Sequence, residues 1–272
     1  MECLHKLYRK VKGQEYMLPC GQCIACRLNR AHEWSIRIMH ELKMHNGVGC
    51  FVTLTYNQEN APWVSDFQAT LVKRDLQLFF KRLRKELSYD NIKIRYYAVG
   101  EYGDTYKRPH YHCIIFGLDE ARAEVLVDKC WLLGFVHIGS VTMDSANYVA
   151  RYCTKLLTGP KKEWYKERNI VPEFSVMSRK PGIGASWLEK YGKEVKTHHN
   201  VVMKGKEFKP PRYYVEKVYD EVDRRIVRDS ATDFIIAKAR QLAEDLRNGR
   251  LAQDRIDTRE KTILSRLKKR KG

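Results

Sequence analysis

Apolar positions between residues 28 and 157 follow two periods, one typical of helices and one typical of strands. Steps of three and four residues predict helices at 28–42, 72–87, 120–133 and 145–157. Runs of β-branched and aromatic residues predict strands at 50–56, 92–101, 110–116 and 135–138. Pro62 and its polar neighbours predict a loop at 57–69.

The resulting order is strand, helix, strand, strand, helix, strand, followed by a further helix. It predicts an α+β fold built on a ferredoxin-like antiparallel sheet. One face of such a sheet can be buried under helices while the other stays open to a ligand. We expect a Cys-rich N-terminal segment at 1–30, this sheet with its helices at 31–160, and a basic, helical C-terminal extension at 161–272.

Charge along the chain is strongly unbalanced. The 272 residues include 51 Lys and Arg against 33 Asp and Glu, a formal net charge of +18. A hydrophobic content of 43% argues against disorder, so the excess charge belongs to a folded protein. Such a balance predicts a polyanionic partner. Nucleic acid is favoured over an anionic membrane surface, because no basic helix with an exposed apolar face stands out.

Two regions are expected to contact phosphates, the helix at 72–87 and the Lys-Arg-rich tail. The helix residues are Lys73, Arg74, Lys81, Arg82, Arg84 and Lys85. Tyr56 and Tyr111 are candidates for stacking on single-stranded bases, with sheet-core packing preferred for Tyr111.

Nothing in the sequence indicates a membrane-spanning or secreted protein. No run approaches the ~20 apolar residues of a membrane span. The first residues lack the apolar core of a secretory signal. A reducing compartment is therefore expected, where cysteines act as thiols or metal ligands.

Three cysteines are spaced by two residues, Cys20, Cys23 and Cys26. Tight spacing of thiols suggests a structural Zn²⁺ site, with Cys3 as a plausible fourth ligand. An iron–sulfur cluster and free thiols are the alternatives. Core packing is expected for the other four cysteines, which are Cys50, Cys113, Cys130 and Cys153.

A pair of histidines, His110 and His112, lies on one predicted strand. Strand alternation places both on one face, with Tyr111 on the other. Two imidazoles side by side form half of a metal site, and Glu101 across the predicted hairpin can complete it. Asp104 competes for that role, and two partly exposed surface histidines are the alternative interpretation. Mg²⁺ or Mn²⁺ suits the oxygen ligands, whereas the imidazoles shift the preference toward Mn²⁺ or Zn²⁺.

Two tyrosines, Tyr148 and Tyr152, are four residues apart and share one face of the last predicted helix. Lys155 lies close to the same face. A tyrosine pair on a helix is also compatible with simple core packing, and a lysine near a helix end with a solvated role favoured by the helix dipole.

Together these motifs resemble the HUH endonucleases that initiate rolling-circle replication. The run 51–56 resembles the family's upstream strand motif, His110-Tyr111-His112 its metal motif, and the tyrosine helix its nucleophile motif. The paired tyrosines and the cysteine-rich opening resemble the replication initiators of small single-stranded DNA phages, the gokushovirus branch of the Microviridae.

This resemblance implies an HUH endonuclease core at 31–160 that nicks a phage replication origin. A tyrosine would form a 5′-phosphotyrosine link, the released 3′-hydroxyl would prime synthesis, and the product strand would be rejoined. The second tyrosine would act while the first is esterified, Lys155 would stabilise phosphate charge, and the nicking site would use Mg²⁺ or Mn²⁺.

Partners and alternatives follow from the same features. The sequence has no Gly-x-x-x-x-Gly-Lys-Ser/Thr phosphate loop, so a host helicase and a host polymerase are expected in the bacterial cytoplasm. An HUH transposase or relaxase is the alternative of the same class. A non-catalytic nucleic-acid-binding protein is the alternative of a different class.

Overall fold

The computed structural model describes residues 3–11, 14–151, 162–224 and 252–269. Its described residues fall into two compact units. One contains those of 30–192 and 203–206, and the other contains those of 1–29, 193–202 and 207–272. The division of the chain at residues 30 and 160 stays a prediction.

Helices and strands alternate along most of the described chain. The helices are α1 Ile24–Met44, α2 Lys73–Ser88, α3 Glu120–Cys130, α4 Met143–Arg151, α5 Glu163–Glu167, α6 Ala185–His198, α7 Arg212–Val218 and α8 Ala252–Lys269. The strands are β1 Leu7–Val11, β2 Gln14–Leu18, β3 Gly49–Tyr56, β4 Trp63–Ser65, β5 Gln68–Ala69, β6 Arg95–Tyr102, β7 Pro109–Phe116, β8 Gly134–Ser140, β9 Phe174–Met177, β10 Val201–Met203 and β11 Lys206–Phe208.

The central sheet has five antiparallel strands in the order β8-β3-β7-β6-β9. Its first four strands have the neighbour relations of a ferredoxin-like sheet, which confirms the predicted α+β fold. The fifth strand, Phe174–Met177, was not predicted, since its four residues are too short a run to stand out. It pairs with β6 and extends the edge of the sheet.

One face of the sheet packs on α2 and α3. Along β3, Cys50, Val52, Leu54 and Tyr56 are buried while their odd-numbered neighbours are half-buried. The buried set belongs to one cluster with the apolar stripe of α2, which is Leu76, Phe79, Phe80, Leu83 and Leu87. Each such side chain contributes about 1.5–3 kcal/mol by leaving water, so this layer dominates the energetics of the unit.

The second face was expected to lie open, and that expectation is only partly right. Ile38 of α1 and Val149 of α4 are buried in a second cluster with Tyr97 and Ile114 of the sheet. This packing leaves uncovered the part of the face where β3, β7 and β8 present polar residues.

Three element boundaries differ from the prediction. The loop at 57–69 contains the short hairpin β4–β5, whose register shifts at a bulge. Helix α3 ends at Cys130, because Trp131 turns inward and its indole nitrogen donates to the carbonyl oxygen of Thr55. Helix α4 is described as far as Arg151, and its predicted end at 157 lies outside the described residues.

The C-terminal extension contains a helix, as predicted, at Ala252–Lys269.

Candidate functional site

Two histidines and two threonines face one another on neighbouring strands. Register pairs Thr53 with His112 and Thr55 with His110. Each threonine Oγ1 lies 3.0 Å from the Nδ1 of its histidine partner. These hydrogen bonds fix the rotation of both rings, so the ε nitrogen of each is the one that would bind an ion.

Glu101 supplies a carboxylate beside the histidines. It is paired in register with His110, and its Oε1 lies 2.9 Å from Nε2 of His112. Glu101 is 3% exposed and His112 is 6% exposed, so this contact is shielded from water. The structure thus brings together the three predicted metal ligands, with Glu101 rather than Asp104 bonded to His112.

The ligand atoms of the histidine pair do not form a closed metal cage. The two imidazole centroids are 6.5 Å apart. His110 lies against Gly103, where an added Cβ would come within 2.9 Å of the ring Nε2. A donor set of two imidazoles and one carboxylate fits a divalent ion.

Tyr148 lies beside His112 on the uncovered part of the sheet. It is 42% exposed, and its ring is edge-on to the imidazole with 5.4 Å between centroids. Phe51 packs against both rings, at 5.7 Å from His112 and 6.3 Å from Tyr148. An exposed phenol held next to an imidazole can act as a nucleophile on a bound ester. Tyr152 and Lys155 lie outside the described residues.

A cleft of about 470 Å³ opens at this point. Its lining is Phe51, Thr53, His112, His137, Asp144, Ser145, Tyr148 and Arg151.

His137 and Arg151 of that cleft were not predicted from the sequence. His137 is the register partner of Thr53, so His112, Thr53 and His137 form a row across three strands. Arg151 lies three residues after Tyr148 and therefore on the same side of α4. Helical spacing alone could have indicated Arg151, whereas His137 required knowledge of the strand register.

The tyrosines of the sheet, Tyr56 and Tyr111, are buried on the opposite face. Their hydroxyl oxygens are 2.8 Å apart, and Tyr56 donates to Asp75. Tyr111 accepts from the backbone N–H of Val72 just before α2. Burial raises the pKa of both phenols. The preferred core role of Tyr111 is confirmed, and base stacking on Tyr56 is wrong because that side chain is 1% exposed.

The basic residues of α2 lie over the face of the sheet opposite the histidines. Lys73, Arg74, Lys81, Arg84 and Lys85 are exposed. Arg82 is half-buried, and its Nε donates to the carbonyl oxygen of Cys130 at 2.7 Å, which ties α2 to the end of α3. A DNA contact by these residues stays a prediction, and it would be separate from the cleft.

The four N-terminal cysteines converge. The Sγ atoms of Cys3, Cys20, Cys23 and Cys26 all lie within 4.8 Å of one another. The backbone N–H of Cys20 donates to Cys3 Sγ and that of Cys23 to Cys20 Sγ, each at 3.2 Å. This cluster can hold a metal ion. Within the described ranges it is the only group of three or more potential ligands gathered so closely.

Two of these thiols have opposite acidities. Burial would raise the pKa of Cys23, but hydrogen bonds from the backbone of Cys26 and Leu4 outweigh it and lower the pKa to about 6. Burial and the neighbouring thiols raise the pKa of Cys26. By contrast Cys50, Cys113 and Cys130 are buried in the sheet core, as predicted. Cys153 lies outside the described residues.

Across the described part of the chain, no helix combines the length and apolar character needed to cross a lipid bilayer.

Comparison with known proteins assigns the chain to a family. Residues 49–157 match a family model for replication-associated proteins of the ORF2 type. The chain is 36% identical to the replication-associated protein VP4 of Bdellovibrio phage phiMH2K, over 73% of this chain and 66% of that protein. It is 33% identical to the replication-associated protein ORF2 of Spiroplasma virus 4, over 88% of this chain and 77% of that protein.

A third relative, the replication-associated protein ORF4 of Chlamydia phage 1, is 24% identical over 76% of this chain and 55% of its own length. No solved structure matches the chain. The chain therefore belongs to the family of phage replication-associated proteins, in agreement with its resemblance to the Microviridae initiators.

Proposed function

We propose that this protein is a metal-dependent endonuclease and strand transferase that nicks a phage replication origin. The observation that carries the proposal is the exposed phenol of Tyr148 beside the buried Glu101–His112 pair. The names of the relatives place them in phage replication, which supports origin DNA as the substrate.

In the proposed reaction the phenol oxygen of Tyr148 attacks a backbone phosphorus. A bond from phosphorus to the tyrosine oxygen forms, and the bond to the 3′ oxygen breaks. The phenol proton ends on the departing 3′ oxygen, which becomes a hydroxyl that can prime synthesis. The phosphotyrosine ester keeps the free energy of the broken bond, so a later 3′-hydroxyl can reverse the step and rejoin the strand.

Tyrosine is a poor nucleophile at its ordinary pKa of about 10, so its surroundings must favour the charged transition state. Arg151 brings a guanidinium to the same cleft and can offset charge on the phosphate. The half-buried imidazole of His110 and the imidazole of His112 are held in place by Thr55 and Thr53.

His110, His112 and Glu101 would hold Mg²⁺ or Mn²⁺. When bound, the ion would neutralise charge on the scissile phosphate. The threonine contacts at both Nδ1 atoms fit this role, because metal-binding histidines commonly have their other nitrogen fixed by a hydrogen bond.

Tyr152 is proposed as the second nucleophile, one helical turn after Tyr148. It would take the next strand while Tyr148 is still esterified, and Lys155 would stabilise phosphate charge nearby. A host helicase and a host polymerase, in the bacterial cytoplasm, would supply unwinding and synthesis.

The four-cysteine cluster is proposed to hold structural zinc. Four thiolates at mutual distances under 4.8 Å fit the tetrahedral preference of Zn²⁺ for sulfur.

A denaturing gel tests the nicking proposal. The full chain would be incubated with Mn²⁺ and end-labelled single-stranded oligonucleotides that tile the parent genome. A covalent protein–DNA band with one oligonucleotide supports the proposal. Salt-dependent DNA binding without any such band would favour a non-catalytic binder. Cleavage confined to transposon ends or a plasmid transfer origin would favour the transposase or relaxase.

A further inference from the structure

We infer that zinc on the four-cysteine cluster forms the seat of the C-terminal helix α8, and that α8, so held, grips the phosphate backbone of DNA. The inference rests on the zinc proposed for Cys3, Cys20, Cys23 and Cys26. It does not depend on the nicking chemistry, because none of its residues lines the cleft at Tyr148.

The cysteine cluster is the centre of a small separate core. Leu4, Ile24 and Ala25 are buried in it together with Cys23 and Cys26. Ile263 of α8 packs against this cluster, although it lies more than two hundred residues later in the chain. The described residues of 1–29 and 207–272 also fall within one compact unit. The cluster therefore joins the first turn of α1 to the C-terminal helix.

So few apolar residues make a weak core without a further tie. A handful of buried side chains cannot offset the entropy of ordering distant segments, and small cores of this kind commonly depend on a metal or disulfides. No disulfide links the described cysteines. A zinc ion on four thiolates would hold Cys3 to the turn at Cys20–Cys26 and so complete the surface that Ile263 covers.

Helix α8 has the charge expected for a phosphate contact. Its sequence, AQDRIDTREKTILSRLKK, contains six Lys and Arg against three Asp and Glu. Arg259, Lys261 and Arg266 are exposed. An isolated helix of this length is marginally stable in water, so its seat decides whether these charges are presented on a rigid rod. Arranged cations on a helix attract a polyphosphate backbone regardless of base sequence.

Metal content tests the zinc. The purified full chain should contain one zinc per chain, and replacement by Co²⁺ should give the thiolate-to-cobalt absorption of a four-sulfur site. Cys20→Ser and Cys26→Ser should lose the ion. Cys130→Ser, a buried cysteine of the sheet core, should keep it. A metal-free wild type, or an iron–sulfur spectrum, would overturn the zinc proposal and the inference with it.

A matched pair of helix variants tests the seat separately. Ile263 packs on the cysteine cluster, whereas the adjacent Leu264 is 44% exposed. Ile263→Ser should speed proteolysis within 252–269 and weaken binding to a 20-base-pair duplex by about tenfold, an expected loss of a few phosphate contacts. Leu264→Ser should leave both unchanged, and both variants should keep zinc. Equal behaviour of the two variants would refute the seat while leaving the zinc intact.

The triple change Arg259→Gln, Lys261→Gln and Arg266→Gln tests the grip. It should lower the slope of log affinity against log salt by about three, roughly one for each lost phosphate contact. Proteolysis and zinc content should match wild type. An unchanged slope, or loss of binding to vesicles containing anionic lipid instead of DNA, would refute the DNA contact. Failure of the nicking proposal would show only in the covalent adduct and leave these measurements unaffected.

Discussion

The imidazole of His112 is held from both sides, by Glu101 at Nε2 and by Thr53 at Nδ1. The first contact is 2.9 Å and the second 3.0 Å. A carboxylate can only accept, so Nε2 carries the proton here and, in a neutral ring, the threonine hydroxyl donates to Nδ1. A ring that binds an ion through Nε2 needs its proton on Nδ1, and a hydroxyl can accept as well as donate. Thr53 can therefore serve both tautomers.

Removing the threonine hydroxyls should weaken the metal site without removing a ligand. We expect Thr53→Val and Thr55→Val each to raise the Mn²⁺ concentration for half-maximal nicking by roughly 10–100-fold, with near-normal cleavage at saturation. Measuring cleavage rate against Mn²⁺ concentration checks this. The control is Thr197→Val, an exposed threonine of α6 whose hydroxyl bonds a backbone carbonyl. Equal Mn²⁺ curves for all three variants and wild type would contradict the positioning role.

Replacing the histidines should separate cutting from binding. His110→Ala and His112→Ala should abolish cleavage, while affinity for origin DNA changes by less than about twofold, because phosphate contacts elsewhere dominate binding. Glu101→Ala should be milder, since a water can take the place of one oxygen ligand. Cleavage assays at limiting Mn²⁺ and filter binding would measure the two properties. Normal cleavage by either histidine variant would show that the metal is held elsewhere.

The tyrosines test the covalent step most directly. Tyr148→Phe and Tyr152→Phe should each keep some cleavage of a short origin oligonucleotide, and the double variant should form no covalent adduct. Multiple rounds of replication should need both tyrosines, because the second attacks while the first is esterified. An adduct with the double variant would place the nucleophile elsewhere, and multiple rounds at the normal rate with one tyrosine would refute the alternation.

The buried phenol of Tyr111 should affect stability and leave chemistry alone. Its hydroxyl contacts Tyr56 and the backbone of Val72 at the start of α2, where no side chain caps the helix. We expect Tyr111→Phe to lower the free energy of unfolding by about 1–3 kcal/mol, because buried partners lose a hydrogen bond. Tyr148→Phe, on the exposed side, should change it by less than about 0.5 kcal/mol. Urea denaturation of both variants would check the contrast, and equal stabilities would contradict it.

Local periodicity was enough to place several parts of this molecule. The helix at α2 and the strands at β3 and β7 follow from spacing that the chain itself carries, since side chains alternate along a strand and repeat every 3.6 residues along a helix. The same alternation placed His110 and His112 together and Tyr111 behind them. Cysteine spacing likewise indicated the cluster at Cys20, Cys23 and Cys26.

Long-range packing decided the rest. Thr53 meets His112, and His137 joins their row, because of a register between strands that are far apart in sequence. The sheet face on which α2 packs is likewise set by the whole core, so the sequence could show that Lys81 and Arg84 are charged but not that they lie opposite the cleft. Alternation indicates which side chains share a face, whereas only the folded sheet determines which of its faces is buried and which remains open to DNA.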